Sequence, residues 1–221
     1  MKQADLKAAV LISGTGSNLK ALITAVEEQG LALNIVRMVS NRARAPGIEH
    51  AKAAGIPVSV ISHKDFPDRQ AHDAAVMDAL QPDAVELIVL AGYMRILGKA
   101  FTIRYEGRMI NLHPALLPLY KGLDTYHRVL QAGDVETGAS IQFVTAGLDS
   151  GPVISQVRIP VLPGDDAESL ASRLHPEEHR LVVATVELFC QRKVHYEQGE
   201  VYYLGHAIKE PLLLRHDGAF D

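Results

Sequence analysis

The chain has one cysteine, no excess of positive charge, no long hydrophobic run and no low-complexity segment, and each absence removes a class of protein. A single thiol, Cys190, excludes an intramolecular disulfide framework and any Cys-x-x-Cys zinc or redox motif. Its surroundings, Leu188 and Phe189 in a helical pattern, suit a buried structural thiol rather than a nucleophile. With 22 Lys and Arg against 26 Asp and Glu the net charge is −4, which argues against a broad basic surface for nucleic acid. No stretch reaches the roughly 18 uninterrupted apolar residues that span a bilayer. The polar start and the short apolar run over residues 8–12 do not read as a secretory signal. What remains is ordinary for a soluble globular protein: 221 residues, 48% hydrophobic and 22% charged. That is enough chain to bury a sizeable core. With no Pro/Gly/Ser-rich linker, the expectation is one cytoplasmic domain over residues 1–221, with a core over about 8–192 and a tail over 193–221.

The dominant pattern is alternation of strand-like and helix-like segments. Apolar runs over 8–12, 35–39, 58–61, 84–90 and 109–112 read as strands. Helical patterns fall between them over 19–29, 46–54, 68–80 and 99–105, the first with Ser17 and Asn18 in capping positions and Gly30 after its end. The run over 84–90 is nearly continuous, as for a strand covered on both faces. This order predicts right-handed βαβ crossovers and a parallel sheet. Beyond a helix over 123–132, the strands over 139–144 and 153–159 alternate apolar and polar residues and are joined by a loop that permits a hairpin. The far edge of the sheet is therefore expected to be antiparallel. Residues 166–192 read as a long helical stretch, and residues 201–203 and 212–214 as a small terminal hairpin or loosely packed tail.

Four places could carry chemistry. Ser13-Gly14-Thr15-Gly16-Ser17-Asn18 follows a strand and opens a helix, so its backbone can turn tightly and offer free N–H groups to a phosphate or carboxylate. It is neither a dinucleotide fingerprint, since Leu19 stands where the third glycine belongs, nor a Walker loop. The plainer alternative is a tight turn with an ordinary cap. Asn111-Leu112-His113-Pro114 ends a strand, where open α/β sheets bind ligands. Two residues apart in extended chain, Asn111 and His113 point the same way, and an amide beside an imidazole suits stabilising an oxyanion and moving a proton. The alternative is a histidine that only caps a strand end. Asp149 sits in a Gly/Pro-flanked loop and is either a turn former or a carboxylate partner for His113. His175-Pro176-Glu177-Glu178-His179 matches an inverted zinc-protease pattern, but Pro176 disrupts a continuous helix unless the helix begins there, and a helix start with acidic residues is the better reading. No metal site is expected.

Together these segments resemble one family. Ser13-Gly-Thr-Gly-Ser-Asn-Leu19, Ala91-Gly-Tyr-Met-Arg-Ile-Leu97, Asn111-Leu-His-Pro-Ala-Leu-Leu-Pro118 and Leu148-Asp-Ser-Gly-Pro-Val153 resemble, in order and spacing, the folate-dependent formyltransferases. The first of them is similar to the glycinamide ribonucleotide branch of that family. The resemblance covers about residues 8–192. It implies a three-layer, Rossmann-like α/β fold with a mostly parallel central sheet and antiparallel strands at one edge. It implies transfer of a formyl group from 10-formyltetrahydrofolate to the amine of glycinamide ribonucleotide in de novo purine (IMP) biosynthesis, without a metal. On matching positions it implies a catalytic trio of Asn111, His113 and Asp149, a substrate phosphate at Gly16, Ser17 and Asn18, and a ribose contact at Glu178. It implies folate contacts at Arg69, Met94, Arg95, Ile96, Leu97, Asn111, Thr145, Ala146, Gly147, Leu148 and Asp149. The implied partners are these small molecules, with neither nucleic acid nor membrane, and the chain is expected as a monomer or homodimer.

The sequence departs from the pattern in three places. Gln142 stands where the resemblance leads us to expect histidine; Pro176 and residues 180–183 differ near Glu178; and the tail beyond Glu197 matches nothing specific. Three rival readings have their own marks. A formyltetrahydrofolate hydrolase would carry an extra regulatory domain and lack the Ser-Gly-x-Gly-Ser-Asn turn. A methionyl-tRNA formyltransferase would carry a basic C-terminal domain. A folate- or nucleotide-binding module without catalysis would bind but not turn over.

Overall fold

The structure, a computed structural model, describes residues 4–221; the first three residues of the expected domain lie outside the described residues. The first half winds as β1 (Leu6–Ile12), α1 (Ser17–Gln29), β2 (Leu33–Ser40), α2 (Gly47–Ala53), β3 (Val58–Val60), α3 (Arg69–Leu80), β4 (Leu87–Leu90), α4 (Lys99–Arg104) and β5 (Met109–His113). The second half runs α5 (Thr125–Ala132), β6 (Glu136–Phe143), β7 (Val153–Pro160), α6 (Ala167–Cys190), β8 (Val194–Glu197), β9 (Glu200–Tyr203), β10 (His206–Ala207) and β11 (Leu212–Leu213). Eight strands form one sheet in the order β11-β7-β6-β5-β4-β1-β2-β3. Strands β1 to β5 are mutually parallel, and β6 runs antiparallel to β5 and β7 antiparallel to β6.

The alternation of strand side chains makes the layers. In β1, Ala8, Val10 and Ile12 join the core that α1, α2 and α6 cover, while Ala9 and Leu11 face the opposite core with α3 and α4. The result is the expected three-layer, mostly parallel α/β fold with its antiparallel edge. Strand order reverses at β1, which lies between β4 and β2. A crevice therefore opens beyond the carboxyl ends of β1 and β4, the place where such sheets bind ligands. Two bonds knit its floor: Ser13 N–H donates to the Gly92 carbonyl at 3.1 Å, and Met94 N–H donates to Ser13 Oγ at 2.7 Å.

Four expectations need correction. Ser17 and Asn18 do not cap α1: they are its first two residues, and the capping position is Gly16, at φ +69° and without a side-chain cap. β4 begins at Leu87 rather than at residue 84, because Ala84 takes a left-handed conformation, φ +50°, after a 3-10 turn. α6 runs unbroken through Pro176. Proline removes one backbone bond at a cost of about 3 kcal/mol. Burial of Leu170, Leu174, Leu181 and Val182 on either side offsets it at about 1.5–3 kcal/mol each, and Asp166 with Ser169 closes a capping box at the start. The tail is no loose hairpin. The hairpin is β8–β9, with β10 beside it, whereas β11 joins the main sheet parallel to β7, pairing Leu212 with Ser155. Burial of Leu212 and Leu214 in the core holds it there.

Candidate active site

β5 runs into the crevice and ends on His113. Antiparallel pairing with β6 puts Asn111 opposite Gln142 and His113 opposite Ser140. The β6–β7 loop then turns back over the strand end and inserts Asp149. Its backbone is left-handed at φ +43°, and its carboxylate is well held. Oδ1 accepts from Gln142 Nε2 at 2.9 Å and from Asn111 Nδ2 at 3.4 Å. Oδ2 accepts from the Gly122 N–H at 2.9 Å and lies 3.5 Å from His113 Nδ1. The other ring nitrogen, Nε2, donates to the Tyr120 carbonyl at 2.9 Å. The imidazole thus sits between two oxygen acceptors, and the cationic ring, with an N–H on each nitrogen, satisfies both. The structure brings Asn111, His113 and Asp149 together as expected. Gln142, in place of a histidine, supplies a neutral amide donor to the carboxylate; its Oε1 is buried with no partner.

The turn at the end of β1 forms a second subsite. Gly16 is required there twice over: by its positive φ, and because a Cβ would come 2.7 Å from the Gly47 Cα at the start of α2. The first N–H groups of α1 consequently open at the crevice with the positive end of the helix dipole behind them. Asn18 is buried, and its Oδ1 has no partner. Glu178 faces this turn from α6. It is buried, and Tyr126 Oη donates to its Oε1 at 3.3 Å. Desolvation raises the Glu178 carboxyl above the usual range, with His175, Tyr126 and the Asn18 amide partly opposing it. Pro176 does not displace it, because the helix is continuous. His175 is exposed on the same helix.

The segments expected to touch folate also border the crevice: Met94 N–H is bonded to Ser13 Oγ at the end of β1, and residues 145–148 belong to the loop that carries Asp149. Met94, Ile96 and Leu148 hold about half of their surface in solvent, at 57%, 49% and 52%, although all are apolar. Arg95 Nε is buried without a partner. Asp73 Oδ2 pins the end of this segment by accepting from Gly98 N–H at 2.6 Å. A flat heterocycle with donors and acceptors at its edge fits such an apolar wall with a polar handle. Thr145, Ala146 and Gly147 lie in the Asp149 loop. Arg69 is exposed at the start of α3, and among the described residues no side-chain contact links it to the trio.

Sequence reasoning missed Gly47, Tyr120 and Gly122. Each acts through its backbone, which leaves no signature in residue type beyond the glycines themselves. Cys190 is buried on α6, which pushes its thiol up to about 11 and leaves it a packed, unreactive group.

The formyl transferase family model matches residues 6–186. The phosphoribosylglycinamide formyltransferase of Haemophilus influenzae is 39% identical over 202 residues, covering 91% of this chain and 95% of that protein. The trifunctional purine biosynthetic protein adenosine-3 of Drosophila pseudoobscura is 47% identical over 181 residues, 81% of this chain; the matched region is only 13% of that longer protein. Among solved structures, the phosphoribosylglycinamide formyltransferase of Coxiella burnetii superposes with a TM-score of 0.89 at 43% identity, over 92% of this chain and 96% of the other.

Proposed function

The chain belongs to the formyl transferase family, and from that premise we propose that it carries the formyl group of 10-formyltetrahydrofolate to the amine of glycinamide ribonucleotide, giving formylglycinamide ribonucleotide and tetrahydrofolate in purine synthesis. The observation that carries the reading is the cluster of Asn111, His113 and Asp149 at the end of β5, beside the α1 turn. Domain and sites follow as parts of the same proposal: one domain over residues 1–221, working in the cytoplasm as a monomer or homodimer.

Each group has a task. The N–H groups at Gly16, Ser17 and Asn18 hold the substrate phosphate, and Glu178 accepts hydrogen bonds from the ribose. The apolar walls at Met94, Ile96, Leu97 and Leu148 hold the pterin end of the folate. Arg95, Thr145, Ala146 and Gly147 complete that pocket, and Arg69 lies towards the glutamate tail. When the amine nitrogen adds to the formyl carbon, the carbonyl electron pair moves to oxygen. The Asn111 amide and the His113 imidazolium are the donors available to that oxyanion. The oxyanion then reforms its carbonyl as the bond from carbon to the folate nitrogen breaks. The proton lost by the amine passes to that nitrogen, with His113 and its neighbour Asp149 placed to help the relay. Holding both reactants in one crevice contributes up to about 7–11 kcal/mol in favourable cases.

A spectrophotometric folate assay tests the reading, run with and without glycinamide ribonucleotide. Deformylation that requires the ribonucleotide and yields its formyl derivative is the expected result. An equal rate without it would replace the transferase with a hydrolase, and no reaction from folded protein would leave a binding module.

A further inference from the structure

The two nitrogens of His113 are held unequally. Nε2 faces the Tyr120 carbonyl at 2.9 Å, and because a carbonyl only accepts, Nε2 carries a proton whether the ring is charged or neutral. Nδ1 lies 3.5 Å from Asp149 Oδ2, close enough for attraction but longer than a well-formed N–H···O bond. That nitrogen faces Asp149 and, beyond it, Asn111. The Tyr120 oxygen reaches the ring from an uncommon backbone conformation: Tyr120 has φ +52°, which a bulky residue adopts only when its surroundings impose it.

The surroundings are specific and lie outside the reacting cluster. The Tyr120 hydroxyl donates to Asp134 Oδ2, just after the end of α5. The Arg128 guanidinium lies over the Tyr120 ring, 5.4 Å from its centre, and donates to the Lys121 carbonyl at 2.6 Å. The same short segment supplies the Gly122 N–H to Asp149. One strained turn thus holds both members of the imidazole–carboxylate pair from behind.

We propose that Tyr120, clamped by Asp134 and Arg128, is a positioning residue that fixes the Nε2–H tautomer of His113 and makes Nδ1 the nitrogen that gains and gives up the working proton. The claim deepens the reading of His113 above and rests on it. In the neutral ring the lone pair then sits on Nδ1, towards Asp149 and Asn111. In the cation the N–H donor at Nδ1 is the one that turns to the oxyanion. The opposite tautomer would aim a lone pair at the Tyr120 carbonyl oxygen, which repels it.

Nitrogen NMR of the full chain labelled with ¹⁵N-histidine reads the tautomer directly, with the His113 signals assigned by their loss in His113→Asn. As pH rises, the Nδ1 signal should move to the unprotonated range while Nε2 stays protonated. Tyr120→Phe and Asp134→Asn should each admit the second tautomer and lower kcat about tenfold, with both KM values within about twofold. The double variant should fall no further than the singles. A wild-type ring in which Nε2 titrates and Nδ1 keeps its proton overturns the proposal, as does a Tyr120→Phe enzyme with unchanged tautomer and kcat. The tautomer is read on the free wild-type protein, so it stands even where a variant fails to fold. A wild type with that tautomer but no ribonucleotide-dependent turnover would overturn the transferase reading instead.

Discussion

His113 is 4% exposed and is surrounded by groups whose value depends on the ring being there. In His113→Ala, kcat should fall by roughly two to four orders of magnitude, the range for loss of an acid–base group and an oxyanion donor. Calorimetric titration with the ribonucleotide should show nearly unchanged binding, because the proposed phosphate subsite is at the start of α1 and the proposed ribose contact is on α6. A variant with near-normal kcat would remove His113 from the mechanism. Glu178 makes the opposite case, a residue kept at a cost in stability. Its carboxyl is raised by burial, so the folded state binds its proton more readily than the unfolded chain, whose value is near 4.5. The penalty of burying the charge is therefore present at neutral pH and is relieved as pH falls through the raised value towards that of the unfolded chain. Glu178→Gln should raise the Tm at pH 7, lose that advantage below about pH 4.5, and raise the ribonucleotide KM. A Tm gain that persists in acid would mean that the buried charge is not its source.

Elements meet the site through their ends, and the tightest meeting is between the β1–α1 turn and α2. A Cβ on Gly47 would lie 2.5 Å from Ile12 Cδ1 and 2.8 Å from the Gly16 Cα. Gly47→Ala should cost about 1–3 kcal/mol by overpacking, read by chemical denaturation. It should also raise the KM for the ribonucleotide more than that for the folate, since it is the turn proposed to hold the phosphate that must move. Equal effects on both would show general loosening. Most elements could be read from the chain. Gly30 and Gly133 end α1 and α5 at positive φ, and Asp68 caps α3 by accepting from Ala71 N–H at 2.8 Å. The site was legible as a list of residues, because Asn111 and His113 occupy one short strand. Two elements depart from the local signal because burial outweighs it, Pro176 inside α6 and Leu212 drawn to the sheet edge; at Gly16 and Ala84 the left-handed backbone moves the element start instead.

At the scale of the molecule, the tail closes the edge of β7. Removing residues 211–221 exposes that edge and forfeits the burial of Leu212 and Leu214, worth about 1.5–3 kcal/mol each, and the bonds from Arg180 to the Arg215 and His216 carbonyls. The shortened chain should melt lower and aggregate more readily. Its folded fraction should keep its kcat, because β11 pairs with β7, which β6 separates from β5 and the proposed catalytic cluster at its end. A kcat that fell with the truncation would show the edge coupled to the site.

Local pattern was enough to determine the α/β class and the mostly parallel main sheet with its antiparallel edge, since strand and helix periodicity and turn glycines act within a few residues of each other. Which carboxylate meets His113 is a different kind of fact. Asp149 stands 36 residues away along the chain and arrives only because β6 returns antiparallel to β5 and its loop folds over the strand end. The union of Glu178 with the α1 turn, the hold of Gln142 on Asp149 and the Tyr120 carbonyl behind the imidazole were likewise settled by packing. Contacts between distant segments depend on burial and backbone path summed over the whole chain, and no short stretch of sequence carries that sum.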